Sequence, residues 1–202
     1  MLSAKAEFTS LINQARHSTA IYDYLVGHVA GPISFDDILR FQYIYSVSAF
    51  DKLMHDIIRI GMIDCYTGNR PPTSKYQAEQ ISISIHTSLV AATVPPAISL
   101  LEAELVRKFS HLSFQDPAKV ADGLSYIWTE EHKWVKINAE MGLPPGNSRI
   151  RLKLIVDRRN SIVHEADINP VTGQKASISR AEAIDVIDFI ENCGVAIVNL
   201  VL

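Results

Sequence analysis

Along most of the chain apolar residues recur every three or four positions, the spacing of helices with one buried face. Phe8, Leu11, Ile12, Ala15, Thr19, Tyr22, Leu25 and Val26 predict a first helix from about Ala4 to Val29, ended by Gly31-Pro32. Ser34, with Asp37 three residues on, reads as an acidic capping box. It opens a second helix that carries Ile38, Phe41, Tyr45, Ala49, Leu53, Ile57 and Ile60 inward and fades near Gly61 or Gly68. Pro71-Pro72 lies in the connection to a third helix, Tyr76 to Ala92. Its segment Ile81-Ser82-Ile83-Ser84-Ile85 alternates as a strand would, but no flanking segment offers a partner strand. Pro95-Pro96 start a helix striped by Leu100, Leu101, Leu105, Val106 and Phe109. Asp116-Pro117 open a short helix reaching about Trp128, and another runs from Thr129 to Met141. Gly142-Leu143-Pro144-Pro145-Gly146 is a turn, after which Asn147 or Ser148 caps the next helix. Ser179-Arg180-Ala181-Glu182 is a full capping box for a last helix to about Asn199, with Ile184, Ile187, Ile190, Cys193, Ile197 and Leu200 inward. The chain holds no internal repeat and no linker, so the expectation is one all-α domain over residues 1–202.

The helix that starts near Asn147 departs from this pattern. With Leu152 as the zero of a wheel at about 100° per residue, Ile155, Val156, Ile162 and Val163 fall within about 80° of it. Arg159 lies in the middle of the same arc. A charge there is costly unless it is paired or lines a wet cavity. Asn160 and His164, four apart, share one edge of the stripe. Ile150 and Leu154 form a second apolar patch roughly opposite, so either the helix is buried on both sides or one side meets another subunit. Beyond His164, Asn169-Pro170 and Thr172-Gly173 mark a loop of about a dozen residues.

The formal net charge of −3 gives no global sign of nucleic-acid binding, but the charge is uneven. Between Arg149 and Arg159 five cations (Arg149, Arg151, Lys153, Arg158, Arg159) face one acid, Asp157, a net of +4 that leaves −7 for the rest. A basic strip on an acidic body attracts a phosphate backbone without making the whole surface adhesive; the other reading is a solvated helix face. Cys65 and Cys193 form neither a disulfide framework nor a ligand cluster and read as small core residues in a reducing compartment. Met1 to Glu7 lacks the apolar core of a signal peptide, and no apolar run reaches the ~18 residues of a membrane span. A cytoplasmic protein off the membrane is expected, with no metal site and no cofactor.

The motif also carries a resemblance. An Arg and a polar residue, followed after a short gap by His near the end of a helix, resembles the HEPN superfamily, whose motif is Arg, four to six residues, His. Arg159-Asn160-Ser161-Ile162-Val163-His164 fits with four intervening residues. The run Arg-Arg-Asn-Ser-Ile-Val-His-Glu-Ala-Asp, with Pro170 and Gly173 beyond it, is similar to the RiboL-PSP branch. Ala49-Phe50-Asp51-Lys52-Leu53-Met54-His55-Asp56 is similar to the first core helix of that branch. The resemblance implies a HEPN-type helical bundle with additional helices, the motif near the end of a core helix, and a metal-independent endoribonuclease. It also implies a homodimer with a composite active site, and a toxin or defence role restrained by an antitoxin or another regulatory protein. The alternative within the same superfamily is a non-catalytic module that binds nucleotide or RNA, or dimerises.

The residue types suit RNA cleavage by the 2′-hydroxyl, which needs a base, an acid and a cation. An imidazole titrates near neutrality, so His164 is the candidate acid or base. Arg159 is the candidate grip on the non-bridging oxygens through its bidentate fork, and Asn160 orients the His or donates to the phosphate. Arg158, with five residues between it and His164, is the rival for the Arg role; the polar residue after Arg159 decides for Arg159. Arg158, Lys153 and Arg151 are the candidate substrate-binding cations. Asp51, His55 and Asp56 are candidate supporting groups, with Asp51 and His55 spaced to pair across one turn. On an ideal helix Arg159 and His164 point about 140° apart, so one copy does not converge on one phosphate, whereas two facing copies can. The structural reading of the same residues is an ion pair of Arg159 with Asp51 or Asp56, and His164 at the helix C-terminus as a favourable cap.

Overall fold

The computed structural model describes residues 1–202 as nine helices and no strand: α1 Leu2–His28, α2 Asp36–Thr67, α3 Ser74–Gln77, α4 Ile83–Ala91, α5 Ala97–Phe109, α6 Pro117–Leu124, α7 Lys133–Glu140, α8 Asn147–His164 and α9 Arg180–Val201. The long helices bury the stripes their sequences mark. Phe8, Ile12 and Ala15 on α1, Phe50, Leu53 and Ile57 on α2, and Ile187, Ile190 and Ile197 on α9 all lie in one core. Gly194 marks the closest approach of these three helices: a Cβ there would stand 2.5 Å from Phe8 and 2.9 Å from Leu53. The helix α8 rests on α2, α7 and α9, and the α4–α5 pair leans on α2 through α5.

Several boundaries differ from the sequence reading, each for a local reason. Phe35, not Ser34, is the N-cap of α2. Ser34 Oγ accepts from Asp36 N at 3.2 Å, and Asp37 turns instead to Arg40 (3.1 Å) and Lys175 (2.6 Å). Gly61 does not end α2: Ile127 fills the space a Cβ would take, 2.5 Å away, so this glycine serves packing. The helix runs on to Gly68, whose left-handed φ of 78° stops it. The segment Tyr76 to Ala92 is two pieces. Thr73 caps α3 and Ser82 caps α4, with Glu79 in the gap drawn to Lys108 and Tyr126. The alternation at Ile81–Ile85 was the mark of that break. Glu130 receives His132 N at 2.9 Å, which holds residues 129–132 out of α7. Gly146, with φ 84°, is the N-cap of α8 and supplies no side chain; Asn138 Oδ1 on α7 accepts from Ser148 N at 2.9 Å.

The chain after His164 is a pinned hairpin rather than a slack connection. Ile168 pairs with Lys175 across an antiparallel bridge, and Asn169 Oδ1 accepts from Val171 N and Thr172 N at the tip. Its anchor is Asp167, 1% exposed. Asp167 Oδ2 accepts from Arg40 Nε (2.8 Å) and Arg158 Nη2 (3.0 Å), and Oδ1 faces Arg158 Nε at 2.8 Å. The same two arginines donate to Ala176 O (2.6 Å) and Ser177 O (2.9 Å) on the returning strand of the hairpin. Ala166 and Asp167 both hold positive φ, 52° and 60°, a conformation that costs about 1–2 kcal/mol per residue in the absence of glycine.

Two stability changes are expected. Asp167→Ala strands two guanidiniums in an interior site and lowers stability by about 3–5 kcal/mol, read as a fall in thermal midpoint; an unchanged midpoint would refute the pin. Gly194→Ala overfills the α1–α2–α9 contact and destabilises by about 1–3 kcal/mol, measured by urea unfolding.

Candidate functional site

The last turn of α8 places the motif beside this hairpin. Arg159 sits on the inward arc, as its spacing requires, but is half-buried and has no carboxylate within 4.0 Å. Its Nη1 donates to Asn160 Oδ1 at 3.1 Å, and its buried Nε has no acceptor. Neither Asp51 nor Asp56 reaches it. Asn160 is half-buried; His164 is exposed and is the last residue of α8, and its imidazole makes no hydrogen bond to the protein.

The remaining cations of the strip have partners from elsewhere in the fold. Arg158 is held by Asp167 and lies 3.7 Å from Glu182. Arg151 pairs with Asp185 and stacks on Phe189, 4.6 Å from the ring centroid. Lys153 contacts Asp157 at 2.7 Å and Asp116 at 3.4 Å; its hydrogen bond to Asp157, above all, raises its pKa. Burial pushes the Asp116 carboxyl up, but Ala118 N and Lys153 outweigh it and leave its pKa below the ordinary value. So the net of +4 along the sequence is largely neutralised in space, and only Arg149 and Arg159 of the five have no carboxylate partner. Tyr43 on α2 is buried, and desolvation drives its phenol far up, keeping it neutral.

The supporting trio lies elsewhere on α2. Asp51 accepts from Phe114 N (2.6 Å) and Gln115 Nε2 (3.0 Å), ordering the loop before α6. His55 Nε2 lies 3.2 Å from Leu112 O and meets Phe114 edge-on; it does not pair with Asp51. Asp56 binds Lys52 (2.8 Å) and Arg59 (2.9 Å). These residues line a cleft of about 380 Å³ between α2 and α5. His55 is 15 residues, roughly 22 Å, along α2 from Arg40, the α2 residue that contacts the α8 end. The structure therefore does not gather the trio at the motif.

Arg40 and Asp167 are the residues the sequence reading missed. Asp167 closes the Arg-Arg-Asn-Ser-Ile-Val-His-Glu-Ala-Asp run, which was a usable signal; Arg40 had none, since an Arg in the first turns of a helix is ordinarily solvated. Three parts of the apolar pattern also shift. Val163 is exposed, and Ile150 and Leu154 are 61% and 63% exposed, so the patch opposite the stripe is free in the single chain. On α2, Tyr43 and Phe50 are core, whereas Phe41, expected inward, is exposed against Tyr45 at 5.5 Å.

No cluster of three or more His, Cys, Asp or Glu is placed to hold a metal ion, and no helix is long and apolar enough to cross a membrane. No curated protein and no solved structure matches the chain. Residues 10–202 match the RiboL-PSP-HEPN family, so that the match covers the core helices, the motif on α8 and the hairpin behind it. With its all-helical bundle and Arg159-Asn160 and His164 on the penultimate helix, the chain belongs to the RiboL-PSP-HEPN family.

Proposed function

We propose that the protein is a metal-independent endoribonuclease that cuts RNA through its own 2′-hydroxyl, with Arg159, Asn160 and His164 as its catalytic residues. The observation that carries this reading is the freedom of Arg159. Its neighbour Arg158 is tied to Asp167, while Arg159 keeps a guanidinium without a counter-charge one turn from an unengaged imidazole. In the reaction a base takes the 2′ proton, the 2′ oxygen bonds to phosphorus, and the P–O5′ bond breaks. The leaving 5′ oxygen takes a proton from the acid, leaving a 2′,3′-cyclic phosphate and a 5′-hydroxyl. His164 supplies one of these proton transfers, worth about 10²–10⁴-fold. Arg159 holds the non-bridging oxygens as their charge grows, and Asn160 fixes the Arg159 fork through its Oδ1. No step requires a metal. Arg158 acts as a positioning residue through the hairpin, and Arg151 and Lys153 as screened cations flanking the strand.

Within one chain Arg159 and His164 diverge by about 140°. The reading therefore includes a homodimer in which His164 of a second copy supplies the other proton transfer. His164 is exposed at the end of α8, so a second copy can approach it there. In the cell such an enzyme acts as a toxin or defence effector held in check by an antitoxin or other regulatory protein. The divergence also favours a second reading, a non-catalytic module that binds RNA or nucleotide.

One assay separates them: cleavage of a labelled RNA in excess chelator. Wild type is expected to cut, and Arg159→Ala and His164→Ala to cut at least about 100-fold more slowly with unchanged thermal midpoints. RNA left intact by dimeric wild type supports the binding module. Light scattering at micromolar concentration is expected to give a dimer; a monomer with full activity would remove the composite site.

A further inference from the structure

Arg149 is the cation of α8 that the fold leaves unexplained. It is exposed, has no carboxylate within 4.0 Å, and stands in the first turn of an 18-residue helix. That turn holds no acid, and its N-cap is a glycine without a capping side chain. The helix macrodipole disfavours a cation at this end. Arg149 nevertheless lines a cleft of about 490 Å³ between α6 and α8, with Lys153, Asp116, Pro117, Ile150 and Leu154. Asp116 is already engaged there, accepting from Ala118 N at 2.8 Å and facing Lys153 at 3.4 Å. The lining carries a net charge of +1, Arg149 and Lys153 against Asp116, which matches one phosphodiester.

The cleft is in register with the motif. Arg149, Lys153, Asn160 and His164 fall within about 60° of one another on the wheel, so they form one edge of α8. From Arg149 to His164 that edge rises roughly 22 Å, which a stacked single strand at about 3.4 Å per nucleotide covers in about seven nucleotides. We propose that the α6–α8 cleft is a remote phosphate subsite: Arg149 grips a phosphodiester of a single-stranded RNA that runs along this edge of α8 from the cut site at His164. The subsite deepens the ribonuclease reading and rests on it for the position of the cut. Its ligand is the strand, not a free anion, because Arg149 and Lys153 share one edge of α8 with Asn160 and His164 and the cleft's aliphatic walls accommodate sugar.

Binding of fluorescein-labelled 2′-O-methyl oligoribonucleotides, three and ten residues long, tests this by anisotropy. Such strands cannot be cleaved, so the result stands whether or not the protein cuts RNA. At about 0.1 M salt, Arg149→Ala is expected to weaken the ten-residue strand about 3–10-fold and to shrink the salt slope by about 0.7. Binding of the three-residue strand, and the thermal midpoint, should be unchanged. Arg107→Ala, on α5 and paired with Glu104, serves as the control cation and should change neither strand. Unchanged ten-residue binding in folded Arg149→Ala would overturn the proposal, as would equal weakening of both strands. Stabilisation by inorganic phosphate that depends on Arg149, without Arg149-dependent strand binding, would also overturn it and mark a site for a free anion. Arg149-dependent binding without any cleavage by wild type would sink the enzyme reading and leave the subsite standing.

Discussion

Asp167 is a buried carboxylate shared by two guanidiniums, and the geometry of the motif end depends on it. Arg40 comes from the start of α2 and Arg158 from the last turns of α8, with Asp167 itself on the hairpin that follows α8. Removing three charges from water is expensive, so such a cluster contributes little net stability by attraction alone. It persists because it is nearly fully satisfied. Both carboxylate oxygens are engaged, Arg40 and Arg158 each donate to a hairpin carbonyl, and Asp37 and Glu182 bring a further acid toward each arginine. The two left-handed residues Ala166 and Asp167 are the conformational consequence: the chain must reverse within one turn of His164 for the carboxylate to point back inward. The cluster therefore selects one path for the chain rather than adding bulk stability.

That selection separates two adjacent arginines with the same side chain. Arg158 and Arg159 differ by one position on the helix, about 100° on the wheel. Arg158 meets the acid of the hairpin; Arg159 is turned toward the inward arc, where the nearest polar neighbour named by a hydrogen bond is Asn160. With Asp167 taken up by Arg40 and Arg158, the hairpin offers Arg159 no carboxylate. An arginine in a tight ion pair is a poor ligand for phosphate, because the incoming oxygen must displace a carboxylate already in bidentate contact. The fold thus leaves Arg159 without the counter-charge that engages Arg158.

Much of this was legible in the sequence, and the rest was hidden for identifiable reasons. Apolar periodicity located α1, α2, α5, α8 and α9, because their stripes are long and bury one face against a common core. Capping chemistry located α6 and α9, where Asp116 and Ser179 do accept from Ala118 N and Glu182 N. It misplaced the start of α2 by one residue, where Ser34 still accepts from Asp36 N, and that of α8, where Asn147 has the right chemistry but Asn138 on α7 satisfies the helix end instead. Arg159 and His164 were visible as local anomalies on one helix. The neutralisation of the basic strip was not visible, since Asp116, Asp167 and Asp185 come from three other segments and a charge sum along the chain cannot see them. Asp51, His55 and Asp56 likewise find their partners away from the motif, on α2 and the loop before α6.

The distribution of charge in space also bears on how RNA would be held. With Arg151, Lys153 and Arg158 each facing an acid, α8 does not present a broad positive field that would bind any polyanion. What remains is two uncommitted guanidiniums, at residues 149 and 159, ten positions apart on one helix. Point contacts of this kind contribute modestly to affinity and strongly to register, because each phosphate has one place to sit. Binding built this way is expected to be weak, salt-sensitive and dependent on strand length. A chain with a net charge of −3 gains nothing from long-range attraction to compensate. Under that reading, discrimination between one RNA and another would have to come from contacts outside the strip.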